Sequence, residues 1–156
     1  MDSSQRCRER RGFMKDLNTI SHDIIQSAIE VHKELGPGLL ESVYRKCLAK
    51  VLRGMGYQVE EELYLSVEFR GEVVEENGYR IDLLVDKSVV VEIKSVETMK
   101  NIFSKQLGTY LKLTGKHLGL LINFNEVMLR DGIKRIVNNF PEQPLRPPHL
   151  CEEMLS

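Results

Sequence analysis

Apolar positions recur along the chain with two different periods, and the switch between them lays out the elements. From about Thr19 to Leu35, Ile24, Ala28, Val31 and Leu35 return at helical spacing with Ile25, Ile29 and His32 on the adjoining line, and Gly36-Pro37-Gly38 stops the helix. Leu40, Val43, Tyr44, Cys47, Leu48, Val51, Leu52 and Met55 predict a second amphipathic helix from about Leu39 to Met55, ended by Gly54 and Gly56. The period then drops to two. Leu63, Leu65, Val67 and Phe69 alternate with polar residues as one half-exposed strand ending near Arg70-Gly71, and Glu76-Asn77-Gly78 is a turn signal that predicts a hairpin there. Two further strands, Tyr79 to Val85 and Val89 to Lys94, are separated by Asp86-Lys87-Ser88. A helix from about Lys100 to Thr114 follows, with Ile102, Phe103, Gln106, Leu107, Tyr110 and Leu111 as its apolar side and Gly115 closing it. The continuous apolar run Leu118 to Phe124 reads as a buried strand covered by helices on one side. Asp131-Gly132 fits either a tight hairpin turn or a helix start.

Side chains alternate between the faces of a strand, so Ile81, Leu83 and Val85 are expected on one side and Arg80, Asp82 and Leu84 on the other. A three-residue loop at Asp86-Lys87-Ser88 sets Val85 against Val89, Leu83 against Val91, and Asp82 opposite Glu92. One face is then wholly apolar, whereas a two-residue loop would mix charges into both. The other face carries Asp82, Glu92 and Lys94. Two carboxylates facing each other across a half-buried strand pair repel unless something positive sits between them. Hard oxygen ligands suit magnesium or manganese, and Lys94, one side chain along, would hold or deprotonate a water beside such an ion. A solvated sheet face would also carry alternating charges. Here, however, the Glu-Xaa-Lys pattern occurs once in the chain, ends an apolar strand, and has a lone Asp at the matching point of the strand before it. Glu41 lies in the first turn of the second helix, at the edge of its buried face. The helix N-terminus alone is a sufficient reason for a carboxylate there, and the side chain could also point at Asp82 and Glu92.

Composition narrows the class. A chain of 156 residues, 42% hydrophobic and 29% charged, suits one globular domain with its own core. No apolar run approaches the roughly 18 residues that cross a bilayer, and the Arg- and Glu-rich start has no apolar centre, so neither a membrane protein nor a secretory signal is indicated and a cytoplasmic protein is expected. Residues 1–17 read as a mobile arm, 18–140 as a single domain, and 141–156, with prolines at 141, 144, 147 and 148, as an extended tail. Cys7, Cys47 and Cys151 stand at unrelated spacings and suggest neither a disulfide framework nor a metal site; His22, His32, His117 and His149 form no ligand pair.

The net charge of −1 excludes a uniformly basic nucleic-acid binder, but the charge is segregated. From Glu60 to Glu76 seven glutamates stand against Arg70 alone, whereas Thr98 to Asn125 holds Lys100, Lys105, Lys112 and Lys116 and no acid. Arg45, Lys46, Lys50 and Arg53 form a second basic group. The two basic segments could hold a phosphate-bearing ligand if they lie on the same side of the site.

The order helix, three antiparallel strands, helix, strand, with Glu41 on the helix, Asp82 on the second strand and Glu92-Ile93-Lys94 on the third, resembles the PD-(D/E)XK nuclease superfamily. Gln106-Leu107-Gly108-Thr109-Tyr110 resembles the Gln-Xaa-Xaa-Xaa-Tyr motif of its RecB-like and Cas4-like branches. Gly38-Leu39-Leu40-Glu41-Ser42-Val43-Tyr44, Tyr79 to Val85 and Gly119 to Phe124 are similar to the GxxExxY proteins of bacteria and archaea. The resemblance implies an α/β fold with a mixed sheet, a restriction-endonuclease-like αβββαβ core preceded by one more helix. It implies that Glu41, Asp82, Glu92 and the Ile93 carbonyl bind one or two Mg2+ (or Mn2+) ions, with Lys94 beside the attacking water and Gln106 and Tyr110 supporting the site or touching the nucleic-acid backbone. The implied chemistry is phosphodiester hydrolysis, in DNA first of all. Ile81 stands where many relatives have proline, and the cysteines that hold an iron–sulfur cluster in Cas4-like relatives are missing, so no cluster is expected. Two rival readings are a nuclease-fold module that binds nucleic acid without turnover, and an interaction protein that uses the acidic strand Glu60 to Glu72 as a pairing edge. Oligomeric state is not legible.

Overall fold

The computed structural model describes residues 16–140. In order along the chain lie α1 (Leu17–Leu35), α2 (Glu41–Gly54), β1 (Val59–Phe69), β2 (Glu72–Val85), β3 (Val89–Lys94), α3 (Asn101–Thr114), β4 (Leu118–Asn123), a short 3-10 turn (Leu129–Gly132) and β5 (Ile133–Val137). The expected arm and tail fall outside the described residues, apart from Asp16 and Leu17. Asp16 caps α1, its carboxylate accepting a hydrogen bond from the Thr19 N–H at 2.8 Å. Among the described residues no helix is long and apolar enough to cross a membrane.

The five strands form one sheet in the order β1-β2-β3-β4-β5. Neighbours are antiparallel except β3 and β4, which are parallel and joined by the crossover through α3. Helices cover both faces. Ile20, Ile24, Ala28 and Val31 of α1 and Tyr44, Leu48, Ala49 and Leu52 of α2 pack on Leu83, Val85, Val89, Val91, Leu118, Leu120 and Ile122. On the other face Leu107 and Leu111 of α3 meet Ile81, Leu84, Val90 and Leu121. Every residue of β4 is buried, because it has helices on both sides rather than the one side expected. The mixed α/β architecture is the restriction-endonuclease-like one, with β5 added.

Three local expectations need correcting. The hairpin between β1 and β2 turns at Arg70-Gly71, whose φ angles of 52 and 82° are both left-handed, and not at Asn77-Gly78, which lies inside β2. There the ladder slips between the Leu65–Tyr79 and Val67–Glu75 pairs, and Gly78 runs so close to β1 that an added Cβ would sit 2.4 Å from Val67 Cγ2. The glycine thus marks a bulge. Ile81 packs with Leu84 and Val90 rather than with Leu83 and Val85, so strict alternation fails at Asp82. Opposite it, between the Glu61–Leu83 and Leu63–Ile81 pairs, Glu62 has a φ of 49° and forms no pair, which is the local kink that re-aims both strands. Finally, Asp131-Gly132 belongs to the 3-10 turn that introduces β5, an edge strand whose Lys134 and Arg135 obscure its apolar pattern.

The loop from Asp86 to Ser88 has the expected three residues. Asp86 and Lys87 adopt φ angles of 49 and 53° without glycine, and Gln58 supports the turn: its N–H donates to the Asp86 carboxylate and its carbonyl accepts from the Asp86 N–H, each at 2.8 Å.

Candidate active site

The β2–β3 ladder pairs Val85 with Val89, Leu84 with Val90 and Leu83 with Val91, the register that the three-residue loop predicts. Beyond Leu83 the backbone pairing gives way to side chains. The Asp82 N–H donates to Glu92 Oε1 at 3.2 Å, and the Ile93 N–H donates to Asp82 Oδ2 at 2.8 Å. Each carboxylate therefore takes a main-chain donor from the other's strand, which holds the two acids together at the end of the strand pair. Asp82 is 5% exposed and Glu92 8%. Burial first, and the charge of Asp82 second, push the Glu92 carboxyl up to about 8, while the nearby Lys94 ammonium pulls it down.

Lys94 is half-buried at the end of β3, its Nζ 4.5 Å from the centroid of the Phe103 ring on α3. The loop that follows is fixed by Asn123, which is fully buried at the end of β4. Its amide group accepts from the Val96 N–H at 3.1 Å and donates to the Val96 carbonyl at 2.9 Å. Gln106 and Tyr110 share a face of α3, where Gln106 Nε2 donates to the Tyr110 hydroxyl at 2.7 Å. Gln106 is exposed, not part of the buried stripe, and so is Ile102. Tyr110 stacks on Tyr79 of β2 with centroids 4.8 Å apart, and burial together with the charge of Glu92 raises its hydroxyl above the usual range.

Glu41 is the first residue of α2 and half-buried. It lines a cleft of about 240 Å³ with Ser42, Arg45, Glu62, Arg80 and Asp82. The turn before it is stapled by Tyr44, whose buried hydroxyl donates to the Gly36 carbonyl and accepts from the Leu39 N–H at 3.1 Å, and whose ring stacks on Phe124 at 4.4 Å. Among the described residues no three His, Cys, Asp or Glu side chains stand close enough to form a metal-binding group, so Glu41 shares the cleft with Asp82 without joining Asp82 and Glu92 in one cluster. The side chain that does reach Asp82 is Arg80, with Nη2 3.0 Å from Oδ1. Sequence reasoning missed this pair, since residues two apart on a regular strand share a face but need a kink to meet.

The donor set suits a hard divalent cation: two nearly buried carboxylates in contact, one of them charged only at an energetic cost, with a guanidinium already drawn to the other. No curated protein matches the chain. A solved structure, the crystal structure of SSO0001, is 24% identical with a TM-score of 0.43, over 74% of this chain and 57% of that one, so the chain spans little more than half of that protein. The model of the PD-(D/E)XK nuclease superfamily matches residues 18–136, from the first turn of α1 into β5. With that match taking in every element that builds the acidic cleft, the chain belongs to the PD-(D/E)XK nuclease superfamily.

Proposed function

We propose that the protein is a magnesium- or manganese-dependent nuclease that hydrolyses phosphodiester bonds, with DNA as its substrate. Within the superfamily we place it among the GxxExxY proteins, on the RecB- and Cas4-like branch that carries Gln-Xaa-Xaa-Xaa-Tyr, with residues 18–140 as one catalytic domain. Nucleases of this superfamily generally use divalent metal ions. The observation that carries the reading is the clasp of Asp82 and Glu92: two acids from adjoining strands, nearly out of water, with Glu92 favouring its protonated form at neutral pH. Such a pair is unfavourable for folding and is explained by a cation that binds it.

Asp82, Glu92 and the Ile93 carbonyl would hold the ion; Glu41 lines the same cleft from α2 and would join them only by a change of side-chain position. When bound, the ion supplies charge stabilisation for a phosphoryl group and lowers the proton affinity of water. Lys94, restrained against Phe103, orients the attacking water and holds it beside Glu92. Because Tyr110 accepts its hydrogen bond from Gln106, its own O–H remains a donor for a phosphate oxygen of the strand. The two basic segments flank the sheet from opposite faces, α2 on one and α3 on the other, so the condition under which they could hold one phosphate-bearing ligand together is not met on a single sheet face.

Linear, circular and single-stranded DNA and RNA, incubated with Mg2+ or Mn2+, test the proposal. Cleavage is expected to disappear with chelator and to fall by about 10²- to 10⁴-fold in Lys94→Ala and Asp82→Ala, the usual range for loss of a positioned catalytic group. Salt-sensitive binding with no product across that panel would instead identify a binding module.

A further inference from the structure

Three arginines and three carboxylates alternate in an unbroken chain of ion pairs that ends at the candidate site. Arg53 meets Glu61 at 2.9 Å, Glu61 meets Arg45 at 3.5 Å, Arg45 meets Glu62 at 3.2 Å, Glu62 meets Arg80 at 3.3 Å, and Arg80 meets Asp82 at 3.0 Å. Charge along this chain is balanced only while Asp82 is counted in it. Oδ2 of Asp82 already accepts the Ile93 N–H, and a cation that engages Oδ1 must compete with Arg80.

Arg80 is well placed to yield. Its side chain is 40% exposed, and its Nη1 is held separately by Glu62, whose kinked backbone turns the carboxylate toward it. The cleft holds a second guanidinium. Arg45 is 9% exposed at its side chain, and its buried Nε faces Glu61 at 3.5 Å as an ion pair without hydrogen-bond geometry. Ser42 lines the same cleft in the first turn of α2, whose N-terminus has no side-chain cap.

We propose that Arg80 is a displaceable counter-ion: it neutralises Asp82 until a divalent cation takes its place, and once released it stays leashed to Glu62 and holds a backbone phosphate with Arg45. This rests on the reading of Asp82 and Glu92 as the cation site. Loading the cation takes Asp82 out of the ion-pair chain and leaves that chain one guanidinium in excess, which offsets Glu41 in the same cleft. Metal binding thereby makes the cleft attractive to a polyanion, which couples loading of the site to capture of the strand.

The test uses the full chain. Mn2+ affinity is measured by calorimetry without nucleic acid, and binding of a fluorescein-labelled DNA oligonucleotide is measured by anisotropy in Ca2+ and in chelator. Arg80→Gln is expected to bind Mn2+ about three- to ten-fold tighter than wild type, the size expected from removing a half-exposed competing ion pair. It should also bind the oligonucleotide about ten-fold more weakly in Ca2+, as expected for loss of a charge-assisted phosphate contact, and equally in chelator. Arg53→Gln, at the far end of the ion-pair chain, should leave Mn2+ affinity unchanged. Equal or weaker Mn2+ binding in Arg80→Gln would overturn the counter-ion role, and unchanged oligonucleotide binding in Ca2+ would overturn the phosphate role. If folded wild type took up no Mn2+, or Asp82→Asn bound it as well as wild type, the cation-site reading would fail and the inference with it.

Discussion

In chelator, Glu92 keeps its proton at a pH where a solvated glutamate has lost it, because burial and the charge of Asp82 favour the neutral form. Between about 4.5 and about 8 the folded chain therefore binds a proton that the unfolded chain has released, so stability falls as pH rises through that window. Thermal unfolding in chelator should show the melting temperature dropping from pH 5 to pH 8. Glu92→Gln, which stays neutral, should flatten the drop and melt higher than wild type at pH 8. A wild-type curve that rises over the same range would mean that Glu92 is ionised and stabilised by a partner. The placing of these groups was legible in the sequence because the three-residue loop sets Leu83 against Val91 and so brings Asp82 to Glu92, even though strand alternation breaks at Asp82. The pairing of Arg80 with Asp82 was not, because it depends on a kink at Glu62 that no residue near Arg80 announces.

At the scale of elements, the helices were read nearly to the residue, since their apolar stripes are long and Gly36 and Gly115 stop α1 and α3 with positive φ angles, Gly115 in the left-handed helical conformation. The β1–β2 hairpin was misread. Asn-Gly has the same local preference for a turn and for a bulge, and which one forms is decided by the partner strand, here by the absence of a Cβ at Gly78 where Val67 approaches. Gly78→Ala should destabilise the chain by about 1–3 kcal/mol in urea unfolding, as overpacking usually does, and Val67→Ala should recover part of that loss in the double variant. Strict additivity of the two would contradict the close contact. Tyr44 gives the Gly-Xaa-Xaa-Glu-Xaa-Xaa-Tyr pattern a physical meaning, because its hydroxyl bridges the two sides of the turn that delivers Glu41. Tyr44→Phe keeps the stacking on Phe124 but leaves two backbone groups without their partner. A loss of about 1–3 kcal/mol is expected in urea unfolding. An unchanged midpoint would mean that water replaces the hydroxyl without cost.

Across the whole molecule, the sheet brings Asp82 and Glu92 to one point and divides the surrounding charge unevenly. The glutamates of β1 are not merely an edge guard: Glu61 and Glu62 hold the arginines of α2 and β2 in the ion-pair chain that ends at Asp82. That arrangement joins α2, β1 and β2 into one wall of the cleft while α3 brings Phe103, Gln106 and Tyr110 to the other face. The layers were legible because helical and strand periods alternate along the chain; the long-range charge pattern was not, because it exists only after the hairpin coils back on α2.

The central claim is that Asp82 and Glu92 together bind one divalent cation, and a Mn2+ titration of the melting temperature tests it without needing a substrate. Wild type should be stabilised progressively, by about 2.7 kcal/mol when free Mn2+ is 100 times the dissociation constant, and Asp82→Asn and Glu92→Gln should not move. A wild-type melting temperature indifferent to Mn2+, or variants that shift as far as wild type does, would contradict it.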